Sequence, residues 1–184
     1  MRTCVQKMRK CVQNMHLRRY TSRVTEEFIK QNLTISTDHL TPEIKLLLIS
    51  HNSPLYTQPI QDSSSSLQDP WWTIYWPGGQ VLSRYFLDFP HLVQGKHVLD
   101  IGSGCGALSL VAARCGAADV TANDIDLNAR TALSLNSNIN NIQNINFSST
   151  DHLTHTNPNK LKEFDILCVG DLLYDARREK KFIK

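Results

Sequence analysis

An α/β fold with a doubly wound parallel sheet is predicted by three observations on this 184-residue chain. From residue 97 onward short apolar runs alternate with helical stretches in the order β-α-β-α-β-x-β, and helical crossovers of that kind join parallel strands. The first of these strands runs into a glycine-rich turn that opens a helix, "HVLDIGSGCGALSL" from His97 to Leu110. Lastly, an aspartate stands at the end of each of the four strands: Asp100, Asp124, Asp151 and Asp171. Ligands bind such sheets beyond the carboxyl ends of the strands, so four acids in succession along that edge point to a site, although any one of them alone would read as a helix cap or turn former.

From Met1 to Thr25 there are seven basic residues, Arg2, Lys7, Arg9, Lys10, Arg18, Arg19 and Arg23, and the first acid is Glu26. "CVQKM" and "CVQNM" repeat seven residues apart, which puts Cys4, Met8, Cys11 and Met15 on one stripe of a cationic amphipathic helix. Arg-rich, acid-poor leaders read as mitochondrial transit peptides, and "RRYTS" from Arg18 to Ser22 resembles a matrix-protease cleavage site. Residues 1–25 are therefore expected to be a leader to the mitochondrial matrix; the alternative is a basic surface extension of a cytoplasmic protein.

Residues 26–69 read as an N-terminal helical segment followed by a linker. "LTPEIKLLLIS" predicts a helix over Pro42 to Ile49, with Thr41 as cap, Pro42 at the first helical position and Glu43 near the positive end of the dipole. "HNSPLYTQPIQDSSSSLQD", His51 to Asp69, has two prolines, a four-serine run and no period, which predicts a loop.

Residues 70–184 read as the ligand-binding domain. It opens with "PWWTIYWPGGQ", which holds all three tryptophans of the chain. Most of these rings are expected in the core, while two consecutive glycines, Gly78 and Gly79, let the backbone approach a ligand and form one wall of a pocket. Val81, Leu82, Tyr85, Phe86 and Phe89 then predict a helix with a buried face, ending at Pro90. Beyond it come "HVLDI" as strand, "GALSLVAARCG" as helix, "DVTAND" as strand, "DLNARTALSLNSNIN" as helix, "INFSST" as strand, a polar stretch "HLTHTNPNKLKEF", and "FDILCVGD" as strand.

Composition narrows the function. A 41% apolar content suffices for one core, and a formal charge of +3, with much of its excess in the first 25 residues, predicts no nucleic-acid-binding face. No apolar run approaches the ~20 residues of a membrane span, so no membrane partner is expected. The five cysteines are odd in number, scattered and never arranged as C-x-x-C, which argues against a disulfide framework or a zinc site and for a reducing compartment.

The glycine turn admits two ligands. Read as G-x-G-x-x-G/A, through Gly102, Gly104 and Ala107, it fits a dinucleotide; read as D-x-G-x-G-x-G, through Asp100, Gly102, Gly104 and Gly106, it fits another cofactor. An aspartate two residues before the first glycine repels a pyrophosphate. S-adenosylmethionine reverses that sign, because it carries a sulfonium and an ammonium and no phosphate. Unit charges ~5 Å apart at an effective dielectric of ~20 interact by about 3 kcal/mol before desolvation, so Asp100 favours the methyl donor. Asp124 stands where an acid accepts from both ribose hydroxyls, a feature that both cofactor classes share. Asp151 is placed to accept from the adenine amine. Asp171 would project into the cleft to orient an acceptor amine, and Tyr174 would help enclose it.

"DPWWTIYWPGGQVLSRYFLD", "GKHVLDIGSGCGALSL", "TANDID" and "VGDLLYD" together resemble the seven-β-strand S-adenosylmethionine-dependent protein methyltransferases, most of all the branch that methylates lysines of the electron transfer flavoprotein beta subunit in mitochondria. The resemblance runs from about Leu40 to Asp175. It implies a Rossmann-like class I methyltransferase fold, a protein substrate, a donor pocket lined by Trp76 and the Gly78-Gly79 turn, and Asp171 to Tyr174 beside the acceptor lysine. It also implies seven strands in the order 3-2-1-4-5-7-6, whereas the chain stops at "DARREKKFIK", shortly after the fourth. A domain truncated after its fourth strand is therefore expected, with that strand as an exposed edge. Another protein substrate, an inactive cofactor-binding fragment and an NAD(P)-dependent oxidoreductase are the alternatives.

Overall fold

The computed structural model describes residues 23–53, 70–152 and 161–172. The repeat at Cys4 to Met15, the cleavage-like "RRYTS", most of the serine-containing loop and Tyr174 lie outside the described residues.

Four strands form the parallel sheet: β3 (His97–Ile101), β4 (Asp119–Asn123), β5 (Ile145–Ser148) and β6 (Ile166–Val169), in the spatial order β5-β4-β3-β6. The chain steps outward from β3 to β4 to β5, then returns to the far side of β3 for β6. Val98 pairs with Val120 on one side and with Ile166 on the other. The order therefore reverses at β3, and a crevice opens beyond its carboxyl end. Two crossover helices, α3 (Ala107–Arg114) and α4 (Leu127–Asn140), connect the first three of these strands. The β3 residues Val98 and Leu99 are both buried, as expected for a strand covered on both faces. The Rossmann-like expectation holds throughout this part of the chain. Among the described residues β6 pairs with β3 alone, and Leu167 on it is exposed.

The region before the sheet departs from expectation. Residues 23–32 are helical (α1), with Thr25 and Ile29 buried. The helix predicted over Pro42 to Ile49 is absent: a single turn closes from Ile44 N–H to the Thr41 carbonyl at 3.1 Å, and the chain then extends as β2 (Leu46–Ile49), antiparallel to β1 (Leu33–Ser36). An unbroken "LLLI" run has no polar alternation, so periodicity alone does not separate strand from buried helix. Pairing decides it. Leu46 and Leu48 enter the main core beside Ile44 and Val98, while Leu47 and Ile49 pack with Trp72 and Ile29 on the other face. The outer edge of β2 is satisfied by side chains of α4: Leu47 N–H donates to Asn136 Oδ1 at 2.8 Å and Lys45 N–H to Asn140 Oδ1 at 2.8 Å. Tertiary pairing overrides a helix-start signal whose cap is worth only about 1 kcal/mol.

The helix predicted from Val81 forms as α2 (Pro77–Asp88), with Trp76 as its N-cap. Its inward face is narrower than predicted. Phe86 and Ser83 are buried and Leu82 packs on the core, whereas Val81, Tyr85 and Phe89 are exposed. Positions 81, 85 and 89 lie on one stripe, and that stripe is open to solvent.

Candidate active site

A cleft of about 800 Å³ opens at the point where the strand order reverses. Its floor is the carboxyl end of β3 and the glycine turn, one wall is the segment from Trp71 to Gly79, and the opposite rim carries Asp124, Asp126 and Asp151. Trp76, Gly79, Asp100, Gly102, Gly104, Asp124, Asp151 and Asp171 all line it, so residues spread over 96 positions of the sequence converge. Gly106 does not. It caps α3 at φ 81°, where a Cβ would run into the Leu133 side chain, so its role is packing between turn and helix.

The turn is held by backbone pairing and positive φ. Gly102 and Ser103 both donate to the Asn123 carbonyl, at 2.8 and 2.9 Å, and Gly102 and Gly104 adopt φ of 73° and 51°. At Gly102 a Cβ would stand 2.6 Å from Leu172, which forbids a larger residue on steric grounds as well. Asp124 fastens the turn to the end of β4: its Oδ2 accepts from Gly104 N–H at 2.9 Å and its Oδ1 from Asp126 N–H at 2.9 Å. Each oxygen keeps a lone pair for a ligand hydroxyl. Burial raises the Asp124 carboxyl above its ordinary range, against the pull of those two N–H donors.

Asp100 is enclosed beneath the turn. Ser109, itself fully buried, donates to its Oδ2 at 2.7 Å. Burial pushes the Asp100 carboxyl up to about 6; the Ser109 hydrogen bond opposes that rise and the charge of Asp124 adds to it. Burial likewise drives the Cys105 and Cys168 thiols up to about 12, so neither is a nucleophile at neutral pH.

Asp171 sits at the mouth, at the end of β6, and its Oδ2 accepts from Gly79 N–H at 3.2 Å in the first turn of α2. A carboxylate suits that end of a helix dipole. The aromatic block splits evenly, where most of its rings were expected in the core: Trp72 and Tyr75 are buried, while Trp71 and Trp76 remain exposed at the cleft. The Tyr75 hydroxyl lies 3.2 Å from Thr41 Oγ1, and burial pushes it up to about 12, so Thr41 supports a tyrosine instead of capping a helix.

Several residues of the site went unread in the sequence. Asn123 donates to the carbonyls of Ser148 and Thr150, at 3.0 and 2.9 Å, and joins the ends of β4 and β5. Ser103 lines the cleft and Ser109 holds Asp100, and nothing in the sequence singles out either serine. Only the asparagine in "TAND", directly before Asp124, was a legible signal.

A sequence model of the ribosomal protein L11 methyltransferases (PrmA) matches residues 81–173. The chain belongs to the PrmA methyltransferase family. This PrmA-family chain is 39% identical over 156 residues to the electron transfer flavoprotein beta subunit lysine methyltransferase homolog of Caenorhabditis elegans, covering 79% of this chain and 63% of that one. It is 40% identical over 156 residues to the electron transfer flavoprotein beta subunit lysine methyltransferase of Homo sapiens, covering 80% and 55%. The chain thus spans somewhat over half the length of the curated relatives it matches. Among solved structures, a ribosomal protein L11 methylase from Lactobacillus delbrueckii subsp. bulgaricus aligns over 41% of this chain and 39% of its own, at 30% identity and a TM-score of 0.36.

The cofactor of a PrmA-family domain is S-adenosylmethionine, and the residues present fit it. The cleft has the size of a small-molecule site, and its described lining carries five aspartates and no lysine or arginine. A doubly negative pyrophosphate would find no counter-charge there; a sulfonium and an ammonium would find several. No group of histidine, cysteine and acid side chains among the described residues is arranged to hold a metal ion.

Proposed function

We propose that this chain is the S-adenosylmethionine-binding part of a protein-lysine N-methyltransferase acting on the electron transfer flavoprotein beta subunit in the mitochondrial matrix. The observation that carries the reading is the acid-lined cleft at the switch point, floored by the Asp100–Ser109 pair and a left-handed glycine turn. The substrate follows from the relatives' names, and the compartment from the Arg-rich leader together with that substrate. The division into a leader over 1–25, an N-terminal segment and linker over 26–69 and a methyltransferase domain over 70–184 belongs to the same proposal.

When bound, S-adenosylmethionine supplies an electrophilic methyl group on a sulfonium for in-line transfer. The residues of the chain contribute alignment and charge. The Gly102–Gly104 backbone allows close approach, Asp124 accepts from ribose hydroxyls, Asp151 from the adenine amine, and Asp100 sets a negative potential under the positive end of the donor. Trp76 and Gly79 close the wall. Asp171 holds the acceptor ammonium at the mouth until its proton leaves to solvent, with Tyr174 enclosing the acceptor.

The test incubates the whole chain with tritiated S-adenosylmethionine and the electron transfer flavoprotein beta subunit, locating label by mass spectrometry, alongside calorimetric titration with S-adenosylmethionine and NAD. Label on lysine and heat from the methyl donor alone are expected. Heat from NAD alone sinks the reading.

A further inference from the structure

The outward half of the aromatic block has no role so far beyond forming a wall. Trp72 and Tyr75 are 3% and 7% exposed, but Trp71 and Trp76 remain at 62% and 39%. The outward pair is nonetheless organised. The two ring centroids lie 5.8 Å apart at a 48° tilt, and Trp76 Nε1 donates to the Trp71 carbonyl at 3.1 Å. A short 3-10 turn over Trp71–Thr73 fixes the backbone beneath them through the Thr73 hydroxyl, which donates to the Pro70 carbonyl at 2.8 Å.

The pair is continuous with the acid at the mouth. Trp76 caps α2, Gly79 in the first turn of α2 donates to Asp171, and all four residues line the same cleft. Exposed indoles are costly to leave in water, and an apolar surface at the rim of a cleft marks a contact. Indole faces also attract cations, and the described lining of the cleft offers aspartates without a lysine or arginine to neutralise them. An indole shelf that ends at a carboxylate is complementary to a side chain with an apolar stem and a cationic head.

We infer that Trp71 is a specificity-determining residue for the acceptor, its indole and that of Trp76 forming a shelf for the aliphatic stem of a lysine whose ammonium is directed to Asp171. The inference rests on the proposed lysine acceptor and adds the surface that selects it. Trp76 is shared with the donor side of the wall, whereas Trp71 is the outer ring and reads the acceptor alone. A neutral side chain of the same length lacks the attraction to both rings and to the carboxylate.

The test labels the three tryptophans of the whole chain with 5-fluorotryptophan, assigns the resonances by single Trp→Phe variants, and titrates n-butylammonium chloride against n-butanol, with and without S-adenosylhomocysteine. A saturable shift of the Trp71 and Trp76 resonances by n-butylammonium is expected; the affinity is weakened about fivefold or more in Asp171→Asn and, read from the Trp76 resonance, in Trp71→Ala, and is largely restored in Trp71→Phe. Trp71→Ala should keep the cooperative unfolding of the wild-type chain, so that a lost n-butylammonium response is not a lost fold. An unmoved Trp71 resonance, or equal shifts with n-butanol, overturns the shelf. Absence of S-adenosylhomocysteine binding overturns the cofactor reading instead, and the titration of the free chain still decides the shelf.

Discussion

Asn136, enclosed in the core, donates from Nδ2 to the carbonyl of Cys105 at 2.9 Å and so ties α4 to the glycine turn. Its Oδ1 accepts from Leu47 N–H at 2.8 Å, which makes one side chain the link between the N-terminal hairpin and the floor of the cleft. Asn136→Leu leaves a buried N–H and a buried carbonyl without partners. At roughly 1–3 kcal/mol for each, the substitution should destabilise the fold by about 2–6 kcal/mol, read as a lower midpoint in urea unfolding with an unchanged slope.

Asp100 predicts a pH dependence. Its carboxyl is raised from 3.8 to about 6 in the fold, so between those values the unfolded chain releases the proton first and stability falls as pH rises. The loss is complete above about pH 6 and amounts to roughly 3 kcal/mol at 1.36 kcal/mol per unit. Asp100→Asn should abolish that decline in thermal unfolding between pH 4 and 6.

Donor binding should show the opposite slope. A cationic ligand prefers the carboxylate, so affinity for S-adenosylmethionine falls as pH drops below about 6, with proton release on binding. Calorimetry in buffers of different ionisation enthalpy measures that release; a release that persists in Asp100→Asn would assign it to another group.

Two glycines with similar backbone angles should respond differently to alanine. Gly95 at φ 70° has open space around a Cβ, and alanine there should cost only the backbone strain, about 1–2 kcal/mol. Gly106 at φ 81° would drive a Cβ into Leu133, which is buried, and overpacking adds roughly 1–3 kcal/mol to the same backbone strain. Denaturant midpoints of the two variants measure the difference.

Gly78→Ala probes the contact between α2 and β6. A Cβ there would stand 2.7 Å from Asp171 Oδ2, so the carboxylate must swing away. Acceptor affinity should fall about as much as in Asp171→Asn, and the double variant Gly78→Ala/Asp171→Asn should be no worse than either single one, because both remove the same placement. Additive losses in a double-mutant cycle would show that the two act separately.

The alternation after residue 97 was legible because each element there has a pattern of its own: strands short and largely apolar, helices longer and periodic, glycines at the turns. The stretch from Pro42 to Ile49 was not legible. Its helix-start residues are real signals, but they are worth less than the pairing with Leu33–Ser36 and the hydrogen bonds to Asn136 and Asn140, whose partners lie up to 95 residues away. Tyr85 and Phe89 were misassigned to the inward face for a related reason, since a stripe of apolar residues does not say which of two adjacent faces meets α3.

By itself the sequence determined the parallel sheet, the glycine turn and the sign of the charge around it, because period, φ > 0 and carboxylate placement are local properties. Tertiary structure alone decided which aspartate is enclosed and which is open. Asp100 is buried because the glycine turn and α3 close over the end of β3, whereas Asp171 stays at the mouth because Gly79 of α2 meets the end of β6 there. It also divided four aromatic residues of one short segment into two for the core and two for the rim. Burial depends on what packs from elsewhere in the chain, and no local period encodes that.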